Sequence, residues 1–205
     1  MAKLQSYPFE KLSQLKSGIV PPADKSPIVL SLGEPGHATP QFIIDTLCRN
    51  TKGLANYPTT IGSIELRQAI CTWLAWRFHL PPENLNPDRQ VLPVSGTREA
   101  LFAFAQFLID RTTDALVLMP SPFYQIYEGA ALLAGARLGY INVTARTDFL
   151  PDFDSVPDDT WKKCKHLYIC TPGNPTGAVI PLTELTKLLK LAQRYGFVIA
   201  SDECY

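Results

Sequence analysis

Four short segments carry residues whose type and spacing could do chemistry. Val94-Ser95-Gly96-Thr97-Arg98-Glu99 is a turn of small residues running into a helical pattern. The N–H groups that open a helix, together with the helix dipole, bind phosphate well, and Gly96 permits close approach. A tight strand-to-helix turn without a ligand is the plainer reading of the same residues. Pro120-Ser121-Pro122-Phe123-Tyr124-Gln125-Ile126-Tyr127 places three aromatics after an apolar run. One could stack on a planar ring, or all could be core. Thr171-Pro172-Gly173-Asn174-Pro175-Thr176-Gly177 is a constrained loop in which Asn174 is the polar side chain with reach. Asn174 serves either a ligand or its own turn. Ser201-Asp202-Glu203-Cys204-Tyr205 sets an acid directly after the apolar run Phe197-Val198-Ile199-Ala200. A carboxylate at the end of a buried strand is costly unless paired, so a cationic partner is expected, either an Arg or Lys or a ligand.

The surrounding pattern positions these segments. Buried-strand runs are predicted at Gln90–Val94, Ala115–Met119, Arg137–Val143, His166–Cys170 and Phe197–Ser201. Helices are predicted between most of them, at Glu99–Asp110, Tyr124–Leu133 and Leu182–Tyr195. The last has Leu182, Leu185, Leu188, Leu189 and Ala192 on one face, Thr183 as a plausible N-cap and Gly196 at its end. Such alternation implies an α/β fold with a mainly parallel sheet and flanking helices. Ligands of such folds sit beyond the carboxyl ends of the strands, where all four segments lie. Before this region come an arm over residues 1–30 with an amphipathic stretch Phe9–Leu15, then a Gly- and Pro-rich loop and a short helix near Gln41–Cys48. Residues 64–79 read as a strong helix with Leu66, Ile70, Trp73, Leu74 and Phe78 near one face, stopped by Pro81 and Pro82.

Composition narrows the classes. The 205 residues are 46% hydrophobic, enough for a real core. Lys plus Arg equals Asp plus Glu at 19 each, with no block of like charges, which argues against a nucleic-acid partner. No run is long and apolar enough for a signal peptide or a membrane span, so a cytoplasmic protein is expected. The five cysteines are odd in number and form no CxxC pair; they read as buried free thiols, and no metal is expected.

Taken together, the four segments resemble the fold-type-I, class I/II aminotransferases, over the whole length from about Tyr7 to Tyr205. The Asn-Pro-x-Gly loop followed by a strand ending in Asp-x-x-Tyr carries that resemblance. Longer strings are similar to the bacterial N-succinyldiaminopimelate aminotransferases: Tyr7-Pro8-Phe9-Glu10-Lys11-Leu12, Gly33-Glu34-Pro35, His37-Ala38-Thr39-Pro40, the run Leu92 to Phe102, the run Pro122 to Ala130, and Tyr195 to Tyr205. The resemblance implies pyridoxal 5'-phosphate as cofactor. Asp202 would pair with its pyridine nitrogen, and Asn174 and Tyr205 would bond its phenolate oxygen, making Asp202 and Tyr205 the catalytic residues of this chain. Tyr124 would stack on the ring, and Gly96, Thr97 and Arg98 would cradle the phosphate. Tyr57 would reach the phosphate of a neighbouring subunit in a homodimer, and Gly33 would lie against the substrate carboxylate. Where that group commonly has a basic residue before the His, this chain has Gly36, which removes one reader of substrate charge.

The resemblance also implies that the lysine forming the Schiff base lies beyond Tyr205; Lys162, Lys163, Lys165, Lys187 and Lys190 read as solvated surface lysines. Residues 1–63 would be an arm and small-domain segment, and residues 64–205 an incomplete cofactor-binding domain. The strand at Gln90–Val94 would be separated from the rest by strands that come later in sequence. The implied reaction moves an amino group from glutamate to N-succinyl-2-amino-6-oxopimelate, in lysine and diaminopimelate synthesis. A broad aspartate or alanine aminotransferase, a β-lyase of the same fold, or a non-catalytic module binding a phosphate ligand remain as alternatives.

Overall fold

The computed structural model describes residue 4, residues 6–31, residue 33 and residues 36–205. Glu34 and Pro35 of the Gly-Glu-Pro string lie outside the described residues. The chain divides into two units, Ser6–Pro93 and one built on Val94–Tyr205. The helix at residue 64, grouped above with the cofactor-binding domain, belongs to the first unit.

The first unit holds α1 (Pro8–Lys16), α2 (Gln41–Arg49), α3 (Ile64–Phe78) and the single turn α4 (Pro87–Gln90). Ser63 caps α3 by accepting from the Leu66 N–H at 3.2 Å, which fixes where the helix begins. The apolar face expected to be core is largely exposed at Leu66, Trp73 and Phe78; the buried residues are Arg67 and Cys71. The reason is the neighbour: α3 packs against the turn at Pro82–Asn84 and against α4. Arg67 donates there to the Pro87 carbonyl at 2.8 Å and pairs with Asp88 at 2.7 Å.

The second unit holds α5 (Thr97–Leu108), β1 (Leu116–Ser121), α6 (Gln125–Ala134), β2 (Arg137–Asn142), α7 (Asp158–Lys163), β3 (Cys164–Cys170), α8 (Leu182–Tyr195) and β4 (Val198–Asp202). The strands are all parallel in the order β2-β1-β3-β4. Successive side chains alternate between two cores. Val117, Met119 and Tyr168 meet Ala105, Ala130, Ala131 and Ala134 in one cluster, where small residues on α5 and α6 permit close approach. Leu118, Leu167 and Ile169 meet Phe153, Trp161, Leu188 and Phe197 in the other. Each large apolar side chain buried in this way contributes roughly 1.5–3 kcal/mol. The fold is therefore α/β, with a parallel sheet between helices.

Four details depart from expectation. Gln90 ends α4, Val91 is extended, and residues 91–94 form no strand. Pro93 has no N–H to give, and among the described residues no strand lies alongside to form a ladder. Helix α8 starts after Pro181, not under a Thr183 cap: the Pro181 carbonyl accepts from the N–H of Glu184 and of Leu185, both at 3.0 Å. Leu182 and Leu189 face outward, and α8 buries Leu188 with Leu185, Leu191 and Ala192 beside it. All five thiols are free, but Cys48 and Cys204 are exposed, not buried.

Candidate active site

Asp202 closes β4 and is only 7% exposed. Its backbone stays in the sheet, with the Asp202 carbonyl accepting from the Thr171 N–H at 3.1 Å. The side chain takes two neutral donors. Tyr127 Oη donates to Oδ2 at 2.6 Å, and Cys204 Sγ donates to Oδ1 at 2.8 Å. Among the described residues no Lys or Arg forms an ion pair with it. Of the two cationic partners expected above, the protein side chain is not found.

The Tyr127 donor is built into the fold. It lies in the first turn of α6, and its ring stacks on Tyr168 of β3 at 4.6 Å with the planes 7° apart. Tyr168 Oη in turn donates to the Leu101 carbonyl of α5 at 2.7 Å. Burial, then the bond to Asp202, holds the Tyr127 phenol far above its ordinary range, so it stays a proton donor. Tyr124, at the N-cap of α6, meets the Tyr127 ring edge-on at 5.8 Å, and its hydroxyl accepts from Arg98 Nε at 2.8 Å. Arg98 and Thr97 open α5. Thr97 Oγ1 lies 3.4 Å from Cys204 Sγ, so a circuit runs Thr97, Cys204, Asp202, Tyr127, Tyr124, Arg98 and back to α5.

Gly96 is the N-cap of α5 with φ +146°, a conformation side chains rarely adopt. A Cβ there would also sit 2.5 Å from Glu99 Oε2. The first N–H groups of α5 thus open onto the strand ends behind a residue that must be glycine. The second cluster is the loop after β3. Gly177, at φ +74°, donates to the Gly173 carbonyl at 2.6 Å, and Gly173 donates to the Ala178 carbonyl at 2.8 Å. This turn projects Asn174, whose Nδ2 donates to Tyr205 Oη at 2.9 Å. The structure therefore joins Thr97, Arg98, Tyr124 and Asp202 in one network and Asn174 with Tyr205 in a pair, all within the second unit. Gly33 and Tyr57 belong to the first unit, where Tyr57 is 96% exposed.

Reasoning from sequence left Tyr127 and Cys204 without roles. The signal that finds Tyr127 is the buried acid itself: a parallel-strand end offers few donors, and a tyrosine in the first turn of the neighbouring helix is one. Lys162 pairs with Asp159 at 2.8 Å and is exposed. Lys187 is half-buried between Asp154 at 2.6 Å and Glu184 at 3.1 Å, so it is a surface ion-pair residue and not a freely solvated one.

The family model for aminotransferase class I and II matches residues 25–205. The chain belongs to the class I and II aminotransferases. It is 32% identical over its whole length to an LL-diaminopimelate aminotransferase of Nitratidesulfovibrio vulgaris, covering 52% of that protein. It is 34% identical to the LL-diaminopimelate aminotransferase of Dehalococcoides mccartyi, over 99% of this chain and 52% of that one. Among solved structures, an aminotransferase from Neisseria meningitidis matches all of the chain at TM-score 0.91 and 41% identity, with 51% of that chain covered. The aminotransferase AspB from Helicobacter pylori matches 99% of the chain at TM-score 0.90 and 34% identity, with 52% covered. The chain spans about half the length of the curated relatives it matches. This aminotransferase family is pyridoxal-phosphate-dependent. The donor set fits that cofactor: an acid with no ion-paired side chain among the described residues, a helix N-terminus behind an obligatory glycine, an aromatic beside both, and a paired amide and phenol. Among the described residues no helix is long and apolar enough to cross a membrane.

Proposed function

We propose that this chain carries the cofactor-binding portion of an aminotransferase that exchanges an amino group between glutamate and an oxo acid of the diaminopimelate group. The supporting observation is Asp202: a nearly buried acid at a strand end, held by two neutral donors, with no cationic side chain paired to it among the described residues. When bound, pyridoxal phosphate supplies an electron sink for the electrons released as the substrate Cα loses its proton. Asp202 holds the proton on the pyridine nitrogen. Asn174 and Tyr205 donate to the ring's phenolate oxygen. Tyr124, steadied by Arg98, covers one ring face and excludes water from it. Gly96, Thr97 and Arg98 hold the phosphate with backbone N–H groups. Gly33 lies against the substrate carboxylate, and Tyr57 serves the phosphate of a second subunit in a homodimer.

For the substrate, the long motif strings support N-succinyl-2-amino-6-oxopimelate as acceptor. The names of the relatives at 32% and 34% identity favour a second reading, transfer to or from LL-diaminopimelate itself. Steady-state kinetics of the complete gene product distinguish them. The first reading expects kcat/KM to be higher for the succinylated compound than for LL-diaminopimelate or aspartate. Preference for unsuccinylated LL-diaminopimelate selects the second, and preference for aspartate sinks both.

A further inference from the structure

We propose that Cys204 is a positioning residue that fixes the Asp202 carboxylate relative to the opening turn of α5. The inference rests on the reading of Asp202 as the acid that meets the cofactor nitrogen. Cys204 lies two residues past the acid, and its thiol sits 2.8 Å from Oδ1. A thiol has one hydrogen. With that hydrogen given to Asp202, the contact at 3.4 Å to Thr97 Oγ1 is made by the threonine donating to sulfur. The direction of both bonds is thereby set, from Thr97 through sulfur to the acid. Tyr127 holds the other oxygen at 2.6 Å, so the two donors together fix the rotation of the carboxylate about its Cβ–Cγ bond. The Tyr127 donor comes from α6, and the Cys204 donor is tied to α5, the helix whose N-terminus faces the phosphate end of the site. Cys204 thus couples the two ends of the candidate site, although the residue itself is exposed. The Asp202 bond also raises the thiol's pKa above its ordinary value, which keeps the sulfur protonated and donating.

Two measurements on the complete gene product test this. The first needs no cofactor. The thiolate is the reactive form of cysteine, so peptide-resolved alkylation by iodoacetamide at about pH 8 reads the Asp202 bond through Cys204. Asp202→Asn is expected to speed alkylation of Cys204 several-fold while leaving Cys48 unchanged. The second is the affinity for pyridoxal 5'-phosphate. Cys204→Ala is expected to weaken it about tenfold, the scale of one lost hydrogen bond to a charged group. Cys204→Ser, which keeps one donor and one acceptor, is expected to restore most of it. Unaltered Cys204 alkylation in Asp202→Asn overturns the proposal. So does affinity in Cys204→Ala equal to that of the unmodified protein while Asp202→Asn binds weakly. If Asp202→Asn also binds with full affinity, the reading of the site falls and the proposal falls with it.

Discussion

At the scale of single residues, burial decides which groups hold their protons. His166 is fully buried in β3, edge-on to Tyr168 at 4.1 Å and near Phe104 at 5.5 Å. Its Nδ1 lies 3.1 Å from the Val198 carbonyl, which accepts from it, and among the described residues Nε2 has no partner. Burial disfavours the charged ring and lowers its pKa from 6.5 to about 4. The unfolded chain therefore takes up a proton between those values that the folded chain refuses. Stability rises with pH in that window and is lost as pH falls from about 6.5 toward about 4, by roughly 3 kcal/mol. Urea midpoints recorded between pH 5 and 7 should show this slope, and His166→Leu should flatten it; an equal slope in that variant would assign the effect to other groups. Asp202 was legible only in part. An acid after four apolar residues is visible in sequence as an anomaly, but its donors come from residues 75 positions earlier and two positions later. Only the parallel register of β3 and β4 and the placement of α6 bring Tyr127 to it.

At the scale of elements, what could be read depended on length and on partners. The bounds of helix α8 were legible to the residue, because fourteen residues show a period and Gly196 ends them at φ +73°. The inner strands β1 and β3 were legible because most of their residues are buried on both faces and their runs are largely apolar. The outer strands β2 and β4, more exposed, were legible from their place in the strand-helix alternation. Helix α7 was not, since six residues show no period; Trp161, stacked on Phe197 at 5.2 Å, anchors it. Residues 90–94 read as a strand by composition, yet a strand exists only where another pairs with it. The α3 face misled for a related reason, because periodicity finds an apolar stripe without saying what covers it. The Gly196 assignment yields a clean test. A Cβ there meets nothing within 4 Å, so Gly196→Ala isolates the backbone cost of the left-handed cap. That variant should lose roughly 1 kcal/mol, and Gly196→Asn less, because asparagine tolerates this conformation. Equal stability of the three proteins in urea unfolding would contradict the assigned cap.

At the scale of the whole molecule, the strand ends gather every candidate group of the second unit at one edge of the sheet. Zero formal net charge gives no broad field for steering, so anion recognition falls to local features, the α5 N-terminus foremost. The central claim is that this edge holds pyridoxal phosphate with Asp202 keeping a proton on its ring nitrogen. The most direct measurement is the nitrogen-15 NMR shift of ring-labelled pyridoxal 5'-phosphate bound to the complete gene product, compared with its Asp202→Ala variant at about pH 8, well above the pKa range of an ordinary carboxyl. The account predicts a protonated ring nitrogen in the unmodified protein and an unprotonated one in the variant. A protonated nitrogen in both, or an unprotonated one in the unmodified protein, would contradict it.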